Sequence, residues 1–175
     1  MMSNIHESGC CCNSRSGEDA IKEDTCNKGG CCHRKEELFI SDEEAEILMQ
    51  LAQTPFLPLA RFLLKSSKSD HLESVALAPV YINDKYDNME SVKTKAEALE
   101  SLASQGLVTL DYNEPLVNGN YQDYLESELY IYFTQTVEQG KGKEGFLFDI
   151  PDIELGSIAL TALGQGAIRQ IDSLS

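Results

Sequence analysis

The sequence predicts an α+β domain that follows a cysteine-rich N-terminal tail. Three observations carry this. All six cysteines (Cys10, Cys11, Cys12, Cys26, Cys31, Cys32) lie within the first 32 of 175 residues. From position 41 onward, apolar residues recur with helical spacing in some segments and alternate in others. Glycine and proline punctuate those segments at their ends. The tail is taken as residues 1–40 and the domain as residues 41–175.

The domain, roughly 135 residues, is long enough to bury about two-thirds of its surface without a disulfide or metal. The tail is not. Its large apolar side chains are Met1, Met2, Ile5, Ile21, Leu38, Phe39 and Ile40, too few to offset the entropy of ordering it. On its own it is expected to be flexible unless metal or disulfide bonds order it.

The formal net charge is −15. Residues 1–40 hold 5 basic and 7 acidic side chains, and residues 41–175 hold 9 and 22. The folded part is therefore the acidic part, and its overall field does not attract nucleic acid or anionic lipid. The N-terminus shows no apolar signal core, and apolar runs such as 75–82 are far too short to span a bilayer. No membrane partner is expected. A cytoplasmic protein is, and there clustered thiols are more often metal-binding or redox-active than disulfide-bonded.

The elements follow in order. Ser41 caps a first helix whose opening turn carries Asp42, Glu43 and Glu44. Glu44 stands three residues after Ser41, as a capping box requires, and Ile40 suits the staple position. Ala45, Leu48, Leu51 and Ala52 form its apolar face. Pro55 ends or restarts it, and the apolar run 56–66 is read as a second helical piece. Residues 74–82 read as an edge strand, because Pro79 cannot donate to a ladder. A helix over about 88–105 follows, with Met89, Val92, Ala96, Leu99 and Leu102 inward and Gly106 as C-cap. Residues 107–112 alternate as a strand, and 113–126 form a loop. A longer strand is expected at 128–137, with Leu129, Ile131, Phe133 and Val137 on one face. A glycine-rich turn at 139–145 returns it to a strand at 146–150. Thr161 caps a final helix of about 162–173, with Leu163, Ala167, Ile168 and Ile171 inward.

Two motifs carry a family resemblance: Leu-x-x-x-Gly-Leu-Val at 102–108, and Leu160, Thr161 and Gly164 leading into the final helix. Together, in this order, they resemble the winged helix-turn-helix family over about residues 41–173. The resemblance implies an α+β winged-helix domain that binds double-stranded DNA, generally as a homodimer, with the helix at 88–105 in the major groove and a hairpin tip on phosphates. It places Ser91, Lys93, Thr94 and Lys95 in the front half of that helix and Lys141 and Lys143 at the wing tip. Gly-Lys-Gly-Lys suits a tip: glycine lets backbone approach, and lysine neutralises phosphate. Against this, the candidate recognition helix has no arginine, and Glu90, Glu97 and Glu100 outweigh its lysines.

The tail reads Cys-Cys-Cys, then Cys-x4-Cys-Cys-His after a gap. This is not the paired Cys-x2-Cys spacing of a structural zinc site. Adjacent cysteines point apart, and suit softer, three-coordinate or clustered thiophilic ions such as cuprous copper, arsenite, mercury or an iron–sulfur site. The six cysteines are the candidate metal ligands. His33 is read as a bystander.

No nucleophile elbow, P-loop, dinucleotide fingerprint or His-Glu-x-x-His motif occurs, so no enzyme is expected. Gly164-Gln-Gly166 lacks the context of a phosphate loop. Asp149, Asp152 and Glu154 flank Pro151 and read as a solvated turn before a cation site. Tyr121, Tyr124, Tyr130 and Tyr132 read as core or dimer packing. Two functions remain. One is a DNA-binding transcriptional regulator that senses a thiophilic metal or redox state through its cysteines. The other is an acidic winged-helix module that binds a protein and not DNA, with a metal-binding tail.

Overall fold

A computed structural model describes residues 39–172, with side chains placed through residue 170. The six cysteines and His33 lie outside the described residues. The elements are α1 (Asp42–Gln53), β1 (Phe56–Ser66), β2 (Ser69–Val80), α2 (Met89–Ser104), β3 (Val108–Asp111), α3 (Gln122–Leu125), α4 (Glu128–Gly140), β4 (Ile150–Leu160) and α5 (Ala162–Asp172). The four strands form one antiparallel sheet in the order β2-β1-β4-β3. The fold class is α+β, as the sequence predicts.

Helix α1 begins where its cap places it. The Glu44 amide donates to Ser41 Oγ at 3.2 Å, and the Ser41 amide donates to Glu44 Oε2 at 2.7 Å. These reciprocal bonds satisfy two orphan amides of the first turn. Ile47, Leu48 and Leu51 are buried, and Ile40 packs against the same cluster.

Residues 56–66 are a strand, not the helical piece that the apolar run predicts. A run apolar on both faces fits a strand buried on both sides as well as a buried helix. The sheet decides between them. β1 is central: β4 pairs with it from Phe56 to Lys65, and β2 pairs with it from Ala60 to Ser66. Pro58 sits inside β1 at no cost in rungs, because β2 has ended at the Ala60–Val80 pair. Its carbonyl faces that open side and accepts a hydrogen bond from the Tyr124 hydroxyl at 2.9 Å. Strand β2 is the expected edge strand, with Pro79 near its end.

Helix α2 matches its expected span. Asn88 Oδ1 accepts from the Ser91 amide at 2.8 Å. At the other end Gly106 adopts φ 71°, the Gly106 amide donates to the Ala103 carbonyl, and the Leu107 amide donates to the Leu102 carbonyl, both at 2.9 Å. That pair of bonds is a Schellman motif, and glycine at this position avoids the cost of a left-handed side chain.

The second correction is at residues 128–137, which form the body of helix α4 and not a strand. Ser127 Oγ accepts from the Tyr130 amide at 3.1 Å and caps it. Leu129, Phe133 and Val137 are spaced by four, so they share a face in a helix as they do in a strand. Tyr130 and Phe133 pack on Phe62, with ring centroids 5.1 and 5.3 Å away. Ile131 is left largely exposed. The glycine turn survives, with Gly142 and Gly145 at positive φ, but it joins a helix to extended chain. The hairpin expected over 128–150 is therefore not formed. The partner of β3 is β4, by way of Val108–Leu160 through Asp111–Ser157.

Alternate residues of β1 and β4 divide between two core clusters, one on each face of the sheet. Leu57, Leu59 and Ile158 join Leu48, Leu51, Leu99, Leu102 and Ile168 beneath α1, α2 and α5. Ala60 and Phe62 join Val80, Val92, Tyr124 and Leu129, with Ile153 and Leu155 packed against them. In α5, Ala167 and Ile168 are buried as expected, but Leu163 is exposed.

Gly164 lies against the turn after α2. A Cβ there would stand 2.0 Å from the Leu107 carbonyl oxygen, whereas one at Gly166 meets nothing within 4 Å. Gly164→Ala should lower unfolding stability by about 1–3 kcal/mol, the range for overpacking. Gly166→Ala should leave it unchanged or raise it by about 0.5–1 kcal/mol through helix propensity. Urea midpoints of the two variants test the close approach; equal midpoints would contradict it.

Candidate functional site

The buried stripe of α2 is Val92, Ala98, Leu99 and Leu102. That fixes which residues face water: Glu90, Lys93, Thr94, Glu97 and Glu100. Ser91 is half-buried in the first turn, and Thr94 Oγ1 donates to the Glu90 carbonyl at 3.1 Å. Lys95 is turned away from that face. Its ammonium lies 2.7 Å from Asp87 Oδ2, with the two side chains 16% and 18% exposed, and 5.8 Å from the Tyr81 ring centroid. Asp87 also accepts from the Asn83 amide at 2.8 Å. Burial pushes the Asp87 carboxyl up, but the Lys95 ammonium and the backbone amides outweigh it and hold the group below the usual carboxylate range. Burial, with help from Glu46 and Asp87, pushes the Tyr81 hydroxyl up to about 12. That hydroxyl donates to Gln50 Oε1.

Lys141 is the C-cap of α4 and pairs with Glu138 one turn back. Lys143 is exposed in the turn that follows. The start of α4 adjoins the loop into α2, where the Glu128 amide donates to the Lys85 carbonyl at 3.2 Å. The end of α4 is far from there, about 20 Å along the axis at 1.5 Å per residue. Beyond it, the Asp149 amide donates to the Lys65 carbonyl at 3.1 Å, and Asp149 accepts from Ser67 at the tip of the β1–β2 hairpin. Helix α2 starts from the opposite end of β2. The structure therefore places Lys93 and Lys95 near one end of the hairpin and the Lys141–Lys143 turn near the other. It does not bring the four lysines together.

The carboxylates read as a solvated turn are each engaged. Asp149 bonds Ser67, Asp152 lies 2.6 Å from Lys65 Nζ, and Glu154 pairs with Arg61. The Arg61 guanidinium also stacks 4.9 Å from the Tyr112 ring centroid. Among the described residues, no group of three or more His, Cys, Asp or Glu side chains is arranged to hold a metal ion. The tyrosine run is largely structural. Tyr121 donates to the Gly156 carbonyl at 2.6 Å, and burial pushes the Tyr124 hydroxyl far above the usual phenol range. Tyr132 is exposed.

Sequence reasoning missed one feature. The end of α1, the start of β1, the end of β4 and α5 line an open groove of about 480 Å³, with the exposed Gln165 and Arg169 of α5 at its rim. No local pattern announces it, since four separate elements converge there. The nearest signal is Arg169, the basic residue in the last turn of α5.

No helix among the described residues is long and apolar enough to cross a membrane. No family model and no curated protein matches the chain. The chain is similar to the solved structure of an uncharacterized protein from the hydrocarbon-degrading marine bacterium Alcanivorax borkumensis SK2. The two share 16% identity over 76% of this chain and 87% of that one, with a TM-score of 0.45.

The Asp87–Lys95 pair has a pH signature. A carboxyl held low in the folded state contributes stability above its unfolded value, about 3.9, and loses that contribution as pH falls through the folded value. Asp87→Asn should therefore cost roughly 0.5–1 kcal/mol at neutral pH. Denaturant titrations should show its gap to the parent closing once pH drops below about 4. A gap that persists unchanged at low pH would mean that the pair is not its source.

Proposed function

We propose that this chain is an acidic protein-interaction module that does not bind DNA, and that its cysteine-rich tail holds a thiophilic metal ion. One observation carries the reading: the water-facing side of α2 carries Glu90, Glu97 and Glu100 against Lys93 alone. A helix with that balance is repelled by the phosphate lattice that any major-groove reader must enter. Lys95 and Lys141 are each neutralised by a carboxylate, which weakens them further as phosphate ligands.

The module is read as a variant of the winged-helix plan. The two motifs behind the resemblance meet: the Thr161 amide donates to the Leu107 carbonyl at 3.0 Å, and Thr161 Oγ1 donates to the Gly106 carbonyl at 2.6 Å. In this reading the wing is the ladder of β3 on β4, with residues 112–149 carried between its strands. The β1–β2 hairpin stands between α1 and α2, where a helix-turn-helix has its first helix and turn. A cytoplasmic setting, where thiols stay reduced, goes with a metal-holding tail.

A second reading, a DNA-binding regulator, draws on Lys93 and Thr94 on the exposed side of α2 and on exposed Lys143. Fluorescence anisotropy separates the two. DNA from upstream of the protein's own gene is titrated against scrambled DNA, anaerobically, with and without a thiophilic metal. The module predicts no binding at roughly 10⁻⁴–10⁻⁶ M protein, where non-specific DNA binding is ordinarily seen. Preference for its own DNA that shifts with metal would overturn it. A parallel titration with cuprous copper should show uptake that is lost when all six cysteines are replaced by serine. Equal uptake by that variant would remove the metal from the proposal.

A further inference from the structure

We infer that the open groove between α1, β1, β4 and α5 is a binding site for a small amphiphilic carboxylate, its acid group at Arg169 and its apolar body against the strand ends. The volume of about 480 Å³ falls within the roughly 300–1,000 Å³ range of small-molecule sites. The wall is built mainly of Leu51, Phe56, Leu160 and Ile168. Leu51 and Ile168 are buried, yet Phe56 is 49% exposed. An aromatic ring left half in water beside an apolar groove gains burial when an apolar ligand covers it.

The long polar side chains at this wall come from α5. Gln165 and Arg169 are four residues apart and share one face of the helix. Arg169 Nε donates to the Gln165 carbonyl at 3.3 Å. That uses one of five guanidinium N–H groups and leaves four to offer. Among the described residues no carboxylate stands within ion-pair distance of Arg169, and the Gln165 amide side chain bonds to no described group. Arg61, Lys65, Lys95 and Lys141 each have a carboxylate partner. Among the described residues Lys68, Lys85, Lys93 and Lys143 stand in no ion pair either, and of these five unpaired cations Arg169 is the one that lines this apolar groove.

The groove wall contains no aspartate or glutamate, although residues 41–175 hold 22 acidic side chains and 9 basic ones. The rim is thus locally positive in an acidic domain. A carboxylate accepts two parallel N–H bonds from a guanidinium, and Gln165 can add a third donor. A cationic amphiphile is repelled there, and a neutral one leaves the guanidinium without a charge partner. The site is separate from the α2 face and stands or falls independently of it.

The test is isothermal titration calorimetry of the full chain with octanoate, octan-1-ol and octylammonium. Octanoate should bind one to one and at least about tenfold more tightly than either analogue. Arg169→Gln should weaken octanoate by about tenfold or more and leave octanol unchanged. Ala52→Trp, placed on the exposed side of α1 at the mouth of the groove, should block all binding. Both substitutions are at exposed positions, so the unliganded unfolding midpoints should match the parent. Four results would overturn the inference: no binding of octanoate at millimolar concentration, equal affinity for octanol, unchanged octanoate affinity in Arg169→Gln, or sedimentation showing a dimer that Ala52→Trp dissociates. The last would mean that a second copy of the chain occupies the groove.

Discussion

Strand β1 is hydrogen-bonded to β4 along one edge and, from Ala60 on, to β2 along the other, with most of its length buried on both faces, and the rest of the domain is arranged around it. Its ladder with β4 spans ten consecutive positions, from the Phe56–Ala159 pair to the Lys65–Ile150 pair. Its side chains alternate between the two clusters, so each face of the sheet has apolar anchors on the same strand. Helices α1, α2 and α5 pack on one face, and α3 with α4 on the other. Removing β1 from the sheet would leave β4 paired only with the short β3, and β2 with no partner. The long segment between β3 and β4 is tied back to this frame through its aromatic residues, by hydroxyl hydrogen bonds, a cation–π contact and the packing of Tyr130 and Phe133 on Phe62. Tyr124 reaches the carbonyl of Pro58, Tyr121 reaches the carbonyl of Gly156, and Arg61 stacks on Tyr112.

Charge is organised at two scales. Over the whole domain the acidic excess keeps the molecule repulsive toward polyanions. Locally, four of the nine basic side chains of residues 41–175, Arg61, Lys65, Lys95 and Lys141, pair with neighbouring carboxylates. Lys65 alone serves both Asp152 and Glu73. Such exposed pairs contribute little stability each, and salt screens them. Their larger effect is on the outward field. A cation already paired presents a dipole rather than a charge, so the free cations set what the surface can recognise.

What could be read from the sequence was local. The Ser41–Glu44 box and the Gly106 C-cap each close within a few residues, and they set the start of α1 and the end of α2. The apolar run at 56–66 reads equally as a buried helix or strand, because its nature depends on β2 and β4, and no window of the sequence contains both. Residues 128–137 are ambiguous in sequence for another reason. Leu129, Phe133 and Val137 satisfy both periods, and the tyrosines and Ile131 tilt propensity toward a strand. The Ser127 cap was the available signal. Of the candidate site, the exposed or paired state of each lysine was invisible in the sequence. Lys95 turns inward because Asp87 lies just before the helix, whereas the segment linking α2 to the glycine turn folds in a way that spacing does not encode.

The β1–β4 ladder joins residues far apart in the chain: Arg61 and Glu154 are 93 positions apart. Closing so long a loop is entropically costly and slows folding relative to local pairing. On a ribosome adding roughly 5–20 residues per second, β1 and β2 emerge many seconds before β4 exists. During that interval the inner edge of β1 presents a row of bare amides and carbonyls on an apolar strand, the arrangement most prone to intermolecular pairing. The acidic excess keeps nascent chains apart through charge repulsion while that edge waits. The same net charge that disfavours DNA thus has a second consequence, as protection for a fold whose central strand is completed last.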